Sequence, residues 1–163
     1  MNHKTLVLLG GNQFDTFSLF NQSMALMQEQ VGSILKYSSI YESAPWGFSA
    51  EQNFLNQVIE IETQLAPLTQ MKVLLEIEVL LGRKRKQPGI YKSRGIDLDI
   101  LFIDDLILQT PELIVPHPRL HQRRFTLKPL CEHWSHLIHP ILKRTLYELL
   151  MDCPDEGSVK RKS

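Results

Sequence analysis

Residues 94–102 read RGIDLDILF. From Ile96 onward the run is aliphatic at alternate positions and then without a break, the pattern of a largely buried strand. Asp97 and Asp99 nevertheless stand inside it. Side chains two apart on a strand point the same way. The two carboxylates therefore share one face, and Ile96, Leu98 and Ile100 fill the other. They lie about 7 Å apart along the strand, so they repel one another unless positive charge lies between them. Read as a strand, this run also completes the pattern of elements that sets the fold.

That pattern builds outward from both sides. TLVLLGG (residues 5–11) is a short aliphatic strand ended by a glycine pair. Apolar residues then recur at helical spacing over residues 17–31 (Leu19, Met24, Leu26, Met27, Val31), with Gly32 as a stop signal. SILKYSSIY (33–41) reads as a second strand, and ESAPWGFSAEQ (42–52) as a polar loop. NFLNQVIEIET (53–63) alternates as a third strand. Leu55, Gln57, Ile59 and Ile61 share one face, and Phe54, Asn56, Val58 and Glu60 the other. Pro67 opens a helix that Gly82 closes. RKRKQPGIYKSRG (83–95) is a basic loop without apolar period, and DDLILQT (104–110) a turn with a short edge strand. Helical segments follow at 127–133 and 142–151, and residues 153–163 are expected to form a flexible tail. The order predicts one α+β domain over residues 1–163. Its fold class is a ferredoxin-like split β-α-β-β-α-β antiparallel sheet with helices packed on one face.

Composition excludes more than it selects. Lys plus Arg and Asp plus Glu both number 18. With no global field to recruit nucleic acid or an anionic membrane, charge-driven binding must be local. The N-terminal apolar run is too short for a signal or membrane segment. Cys131 and Cys153 match no metal spacing and read as free thiols of a reducing compartment. A cytoplasmic monomer without nucleic-acid or membrane partners is expected.

Taken alone, the aspartates suit a strand with one solvated face. Their neighbours point to phosphate chemistry. Arg83, Lys84, Arg85, Lys86, Lys92 and Arg94 precede the strand, and Arg119, Arg123 and Arg124 follow VPHP (115–118). Carboxylates for Mg²⁺ with guanidiniums for phosphate oxygens make up the equipment of phosphoryl transfer. No Walker-type loop is present. His117, held between two prolines, is a candidate phosphate donor or a turn histidine. Phe54 and Phe125 read as core residues, and Trp46 as exposed. Two other readings remain open at this level: a different Mg²⁺-dependent kinase or nucleotidyltransferase, and an RNA-binding ferredoxin-like domain using the basic loop.

LLGGN, SSIYESAPWG, NFLNQVIEIET, EIEVLLGRKR, RGIDLDILF, VPHPRLHQRRF and LKPL occur in one order. Together they resemble the 6-hydroxymethyl-7,8-dihydropterin pyrophosphokinase family, which transfers pyrophosphate from ATP to a pterin in folate biosynthesis. The resemblance spans roughly residues 4 to 150. It implies that Asp97 and Asp99 hold two Mg²⁺ ions along the triphosphate. Arg83 and Arg94 assist the transfer from a loop that orders when ATP binds. Glu78, Arg85, Tyr91, Ile100, His117 and Arg123 contact ATP. Phe54 and Phe125 sandwich the pterin, Asn56 reads its ring edge, and Ser43, Ala44 and Trp46 line the pocket. GGN stands for the family's more usual Gly-Ser-Asn, Tyr91 for a frequent Trp, and Glu112 for a basic residue.

Overall fold

The spine of the molecule is β1 (His3–Gly11), a strand buried on both faces. A computed structural model describes residues 2–12, 15–44, 53–82 and 95–162. After β1 come α1 (Thr16–Gln30), β2 (Ser33–Tyr37), β3 (Tyr41–Ser43), β4 (Phe54–Thr63), α2 (Pro67–Leu80) and β5 (Asp97–Ile103). Next are β6 (Leu108–Gln109), β7 (Ile114–Val115), α3 (Arg124–His133), α4 (Leu146–Met151) and β8 (Val159–Arg161). The main sheet has the order β5-β1-β4-β3-β8, with β2 also on β4, and every pairing is antiparallel. β6 and β7 form a small sheet of their own.

Helices cover both faces of this sheet, not one as expected. Val7, Leu9, Ile59, Ile61, Leu98 and Ile100 meet Leu19, Phe20 and Met27 of α1 and Leu74 and Ile77 of α2. On the other face, Leu6, Leu8, Val58, Leu101 and Phe102 meet Leu127 and Leu130 of α3, Trp134, and Leu146, Leu149 and Leu150 of α4. The continuous run Leu6 to Leu9 follows from this, because a strand covered on both sides has no solvated face to keep polar. Phe20 and Phe102 are each 1% exposed, and burying such a ring contributes about 1.5–3 kcal/mol.

Three irregularities shape the site. The pairing of β1 with β5 shifts register between Leu6 and Val7, and Leu101 is the extra residue. This bulge turns Leu101 and Phe102 toward the same core. The stretch 33–41, read as one strand, is broken into β2 and β3. The Ser38 hydroxyl accepts the Val58 N–H at 3.0 Å, so a side chain replaces a ladder carbonyl there. Finally, the tail expected to be flexible carries β8, which lies along β3.

Candidate functional site: a mixed polar row on the sheet

Paired residues on adjacent antiparallel strands point to the same face. Gly10 of β1 is paired with Asp97 on one side and Asn56 on the other, and Asn56 is paired with Tyr41 of β3. Asp97, Gly10, Asn56 and Tyr41 therefore form one row across the sheet, on the face covered by α3. Asp99 follows Asp97 on that face, opposite Leu8. Phe54 precedes Asn56 there, opposite Ser43. Asp97 and Asn56 are two strand spacings apart, about 10 Å. The floor between them is bare because Gly10 has no side chain. A Cβ at that position would meet Asn56 Nδ2 at 2.9 Å.

Each side chain in the row is held by its surroundings. Asn56 is 5% exposed and donates Nδ2–H to the Leu9 carbonyl at 3.3 Å, which fixes the amide's orientation. The Tyr41 hydroxyl donates to Glu132 Oε1 at 2.6 Å, and Ser39 N–H donates to the same carboxylate. This carboxylate ties β3 to α3. Burial and that bond push the Tyr41 phenol up to about 12. Phe125, half-buried at the start of α3, has the Arg123 guanidinium carbon 5.6 Å from its ring centroid, within cation–π range.

Behind β5, the buried Glu78 of α2 accepts the Leu98 N–H at 2.6 Å. Its bond lies on the side of the strand away from the aspartates. Ile100 also points into that first core, so only its backbone is left to face a ligand. Gly95 allows the chain to enter β5 close to the end of α2, since a Cβ there would lie 2.8 Å from the Leu81 carbonyl oxygen. Leu81 and Gly95, described residues on either side of the basic segment in sequence, therefore lie close together next to Asp97.

Arg123 approaches Asp99 at the start of α3, and His117 stands beside Arg123 in the loop before that helix. Burial lowers the pKa of Arg123, and the charge of Asp99 opposes that shift. The His117 N–H donates to the Leu101 carbonyl at 3.0 Å, which pins the loop to the bulge of β5. Burial, then Arg123 and Arg119, push the His117 imidazole down to about 4, so it is neutral at pH 7. The Arg119 N–H donates to its Nδ1 at 3.2 Å, which assigns the ring proton to Nε2.

The structure thus brings Asp97, Asp99, Asn56, Phe54, Ser43, Phe125, Arg123 and His117 to one end of one sheet face. Ala44 follows Ser43 and is exposed. Arg83, Arg85, Tyr91, Arg94 and Trp46 lie outside the described residues. Among the described residues no three His, Cys, Asp or Glu side chains gather into a metal cage, and no helix is long and apolar enough to cross a membrane. Sequence reasoning missed Gly10 and Glu132. The register partners of Gly10 are visible only in the sheet, and Glu132 meets Tyr41 from 91 residues away.

Comparisons with known proteins agree with this geometry. The family model for 7,8-dihydro-6-hydroxymethylpterin-pyrophosphokinase matches residues 6–135. The 2-amino-4-hydroxy-6-hydroxymethyldihydropteridine pyrophosphokinase of Porphyromonas gingivalis is 39% identical over 132 residues, covering 78% of this chain and 90% of the relative. Its Aquifex aeolicus counterpart is 37% identical over 140 residues, 86% of each chain. Among solved structures, a Plasmodium falciparum HPPK-DHPS chain superposes with a TM-score of 0.78 at 16% identity. That match covers 93% of this chain and 45% of the solved one, so it speaks for the fold alone. A family match over most of the chain, with the aspartate pair and the Phe54 and Asn56 strand on one sheet face, leads to one conclusion: the chain belongs to the 7,8-dihydro-6-hydroxymethylpterin-pyrophosphokinase family.

Proposed function

We propose that the protein transfers a diphosphate from ATP to the hydroxymethyl oxygen of 6-hydroxymethyl-7,8-dihydropterin, releasing AMP, as a step of folate biosynthesis. One observation carries this reading. Asp97 and Asn56 occupy one row of one sheet face with the bare Gly10 between them. On this reading the carboxylate end takes the triphosphate and the amide end takes the pterin.

Mg²⁺ is commonly held by one or two carboxylates completed by phosphate oxygens and water. Asp97 and Asp99 on one face match that donor set for two ions shared with ATP. Bound there, Mg²⁺ would supply neutralisation of charge on the phosphate oxygens. The chain's own groups do the rest. Arg123 offers a guanidinium fork to phosphate oxygens. His117, being neutral, donates its Nε2–H without adding charge. Phe54 and Phe125 sandwich the pterin, Asn56 reads its edge, and Ser43, Ala44 and Trp46 line the rim. The hydroxymethyl oxygen bonds to the β-phosphorus as the bond from that phosphorus to the α–β bridging oxygen breaks. AMP leaves with the bridging oxygen, and the hydroxyl proton is released. Alignment supplies much of the rate, because such transfers need little covalent help from protein.

The family resemblance supports further roles. Arg83 and Arg94 act on the transferred group, and Arg85 and Tyr91 contact the nucleotide. Glu78, whose carboxylate also accepts the Leu98 N–H, contacts ATP, and Ile100 meets it through its backbone. We propose a cytoplasmic monomer as the working form; sedimentation equilibrium should then give a mass near 18.9 kDa. The reaction itself is tested by incubating the protein with ATP, Mg²⁺ and the hydroxymethyl dihydropterin. AMP and pterin diphosphate in equal amounts are expected. ADP as the nucleotide product would refute the proposal.

A further inference from the structure

The last residues of the described chain connect two walls of the pterin slot that are far apart in sequence. The first wall is the start of α3. Its own N-cap residue, Arg123, offers no side-chain cap. The cap comes from the C-terminal segment instead: Asp155 Oδ2 accepts the Arg124 N–H at 3.2 Å. The other oxygen, Oδ1, accepts the Gly157 N–H at 2.9 Å, which fixes the carboxylate in place. An anionic acceptor at a helix N-terminus satisfies an orphan donor and complements the helix dipole. Arg124 sits between Arg123 and Phe125, so this bond acts on the turn that carries both.

The second wall is β3, three residues long. Its inner edge pairs with β4, Ser43 opposite Phe54 and Tyr41 opposite Asn56. Its outer edge pairs with β8, Ser43 opposite Val159 and Tyr41 opposite Arg161. Two bonds from Lys162 extend the seam: its N–H to the Ile40 carbonyl at 2.7 Å, and its ammonium to Glu42 at 2.6 Å. So short a strand has few ladder bonds of its own, and β8 supplies those on its outer edge.

We infer that residues 153–162 form a strap that sets the separation of Phe54 and Phe125, with Asp155 as its positioning residue. The inference rests on the proposed role of those two rings in holding the pterin. Asp155 touches neither substrate; it acts through α3. The strap does not reach β5, so the carboxylate end of the row is outside its influence. Loss of the strap therefore acts on pterin recognition through both walls, and on the nucleotide half only through Arg123.

The test compares steady-state constants of the full-length wild type with four variants. Asp155→Ala should raise the pterin KM about fivefold, the factor corresponding to a lost helix cap, with a smaller rise in ATP KM carried by Arg123. Asp155→Asn retains a capping oxygen and should restore most of the pterin affinity. Thr145→Ala removes the capping box of α4, where Thr145 accepts the Glu148 N–H at 3.2 Å. It should lower thermal stability comparably while leaving the pterin KM unchanged. Phe125→Ala tests the underlying reading and should raise the pterin KM more than Asp155→Ala does. An unchanged pterin KM in Asp155→Ala, with Phe125→Ala defective, overturns the strap and leaves the ring assignment standing. An equal rise in Thr145→Ala also overturns it, because general loosening then explains the effect. An unchanged pterin KM in Phe125→Ala overturns the ring assignment and the strap with it.

Discussion

Gly10→Ala probes the floor of the site with a single added carbon. That Cβ would stand 2.9 Å from Asn56 Nδ2. An ordinary non-bonded separation is about 3.5 Å, so the amide must retreat by roughly 0.6 Å. Its bond to the Leu9 carbonyl is already 3.3 Å long, and such a retreat carries it beyond useful length. Losing that bond should lower stability by about 1 kcal/mol. The displaced amide also loses its contact with the pterin edge, an effect of about 1–3 kcal/mol, or roughly 5- to 150-fold in pterin KM. Affinity for ATP with Mg²⁺ should stay within about twofold, because Asp97 and Asp99 lie on the other side of Gly10. Pterin KM from AMP release, ATP affinity from calorimetry and urea unfolding separate the three effects. A normal pterin KM with a folded protein would refute the assignment of Asn56 to the pterin. A larger loss for ATP than for pterin would refute the division of the row.

Asp97→Ala and Asp99→Ala should each lower kcat by about 10³-fold, near 4 kcal/mol, while the fold survives; near-normal turnover with Mg²⁺ would contradict the metal assignment. Stability should fall as pH drops from about 6.5 toward 4. His117 and His139 both have pKa values pushed down to about 4, mainly by burial, so the unfolded chain takes up protons that the fold refuses. Urea midpoints at pH 7 and pH 5 measure this, and equal midpoints would contradict it. Thr126 Oγ1 is buried with no hydrogen-bond partner among the described residues, so Thr126→Val should be neutral or stabilising by up to about 1 kcal/mol; a clear loss of thermal stability would show that the hydroxyl has an unrecognised role.

Alternation along NFLNQVIEIET was enough to assign the faces of β4, and the two-residue spacing of Asp97 and Asp99 was enough to put them together. Both are local facts of strand geometry. The second helical layer also left a local sign, the uninterrupted LVLL of β1, which a strand with one wet face would not carry. Other features had no local sign. VKR has no apolar period and is a strand only because β3 offers it an edge. The break at Ser38 depends on the Val58 N–H, 20 residues away. The start of α3 was read late because its cap, Asp155, lies 31 residues downstream, and Pro129 interrupts its hydrogen-bond ladder from within.

The division of the row is most directly visible to a paramagnetic ion. Mn²⁺ can stand in for Mg²⁺ with a non-hydrolysable ATP analogue, and amide resonances near the bound ion broaden steeply with proximity. Strong broadening is expected at Asp97, Leu98, Asp99 and Gly10, with weaker effects at Asn56 and Phe54 and the weakest at Val73 on α2. Adding pterin should then shift Asn56, Phe54 and Phe125 without moving the centre of broadening. Broadening centred on Asn56 and Phe54, or absent from β5 altogether, would contradict the assignment of the two ends of the row.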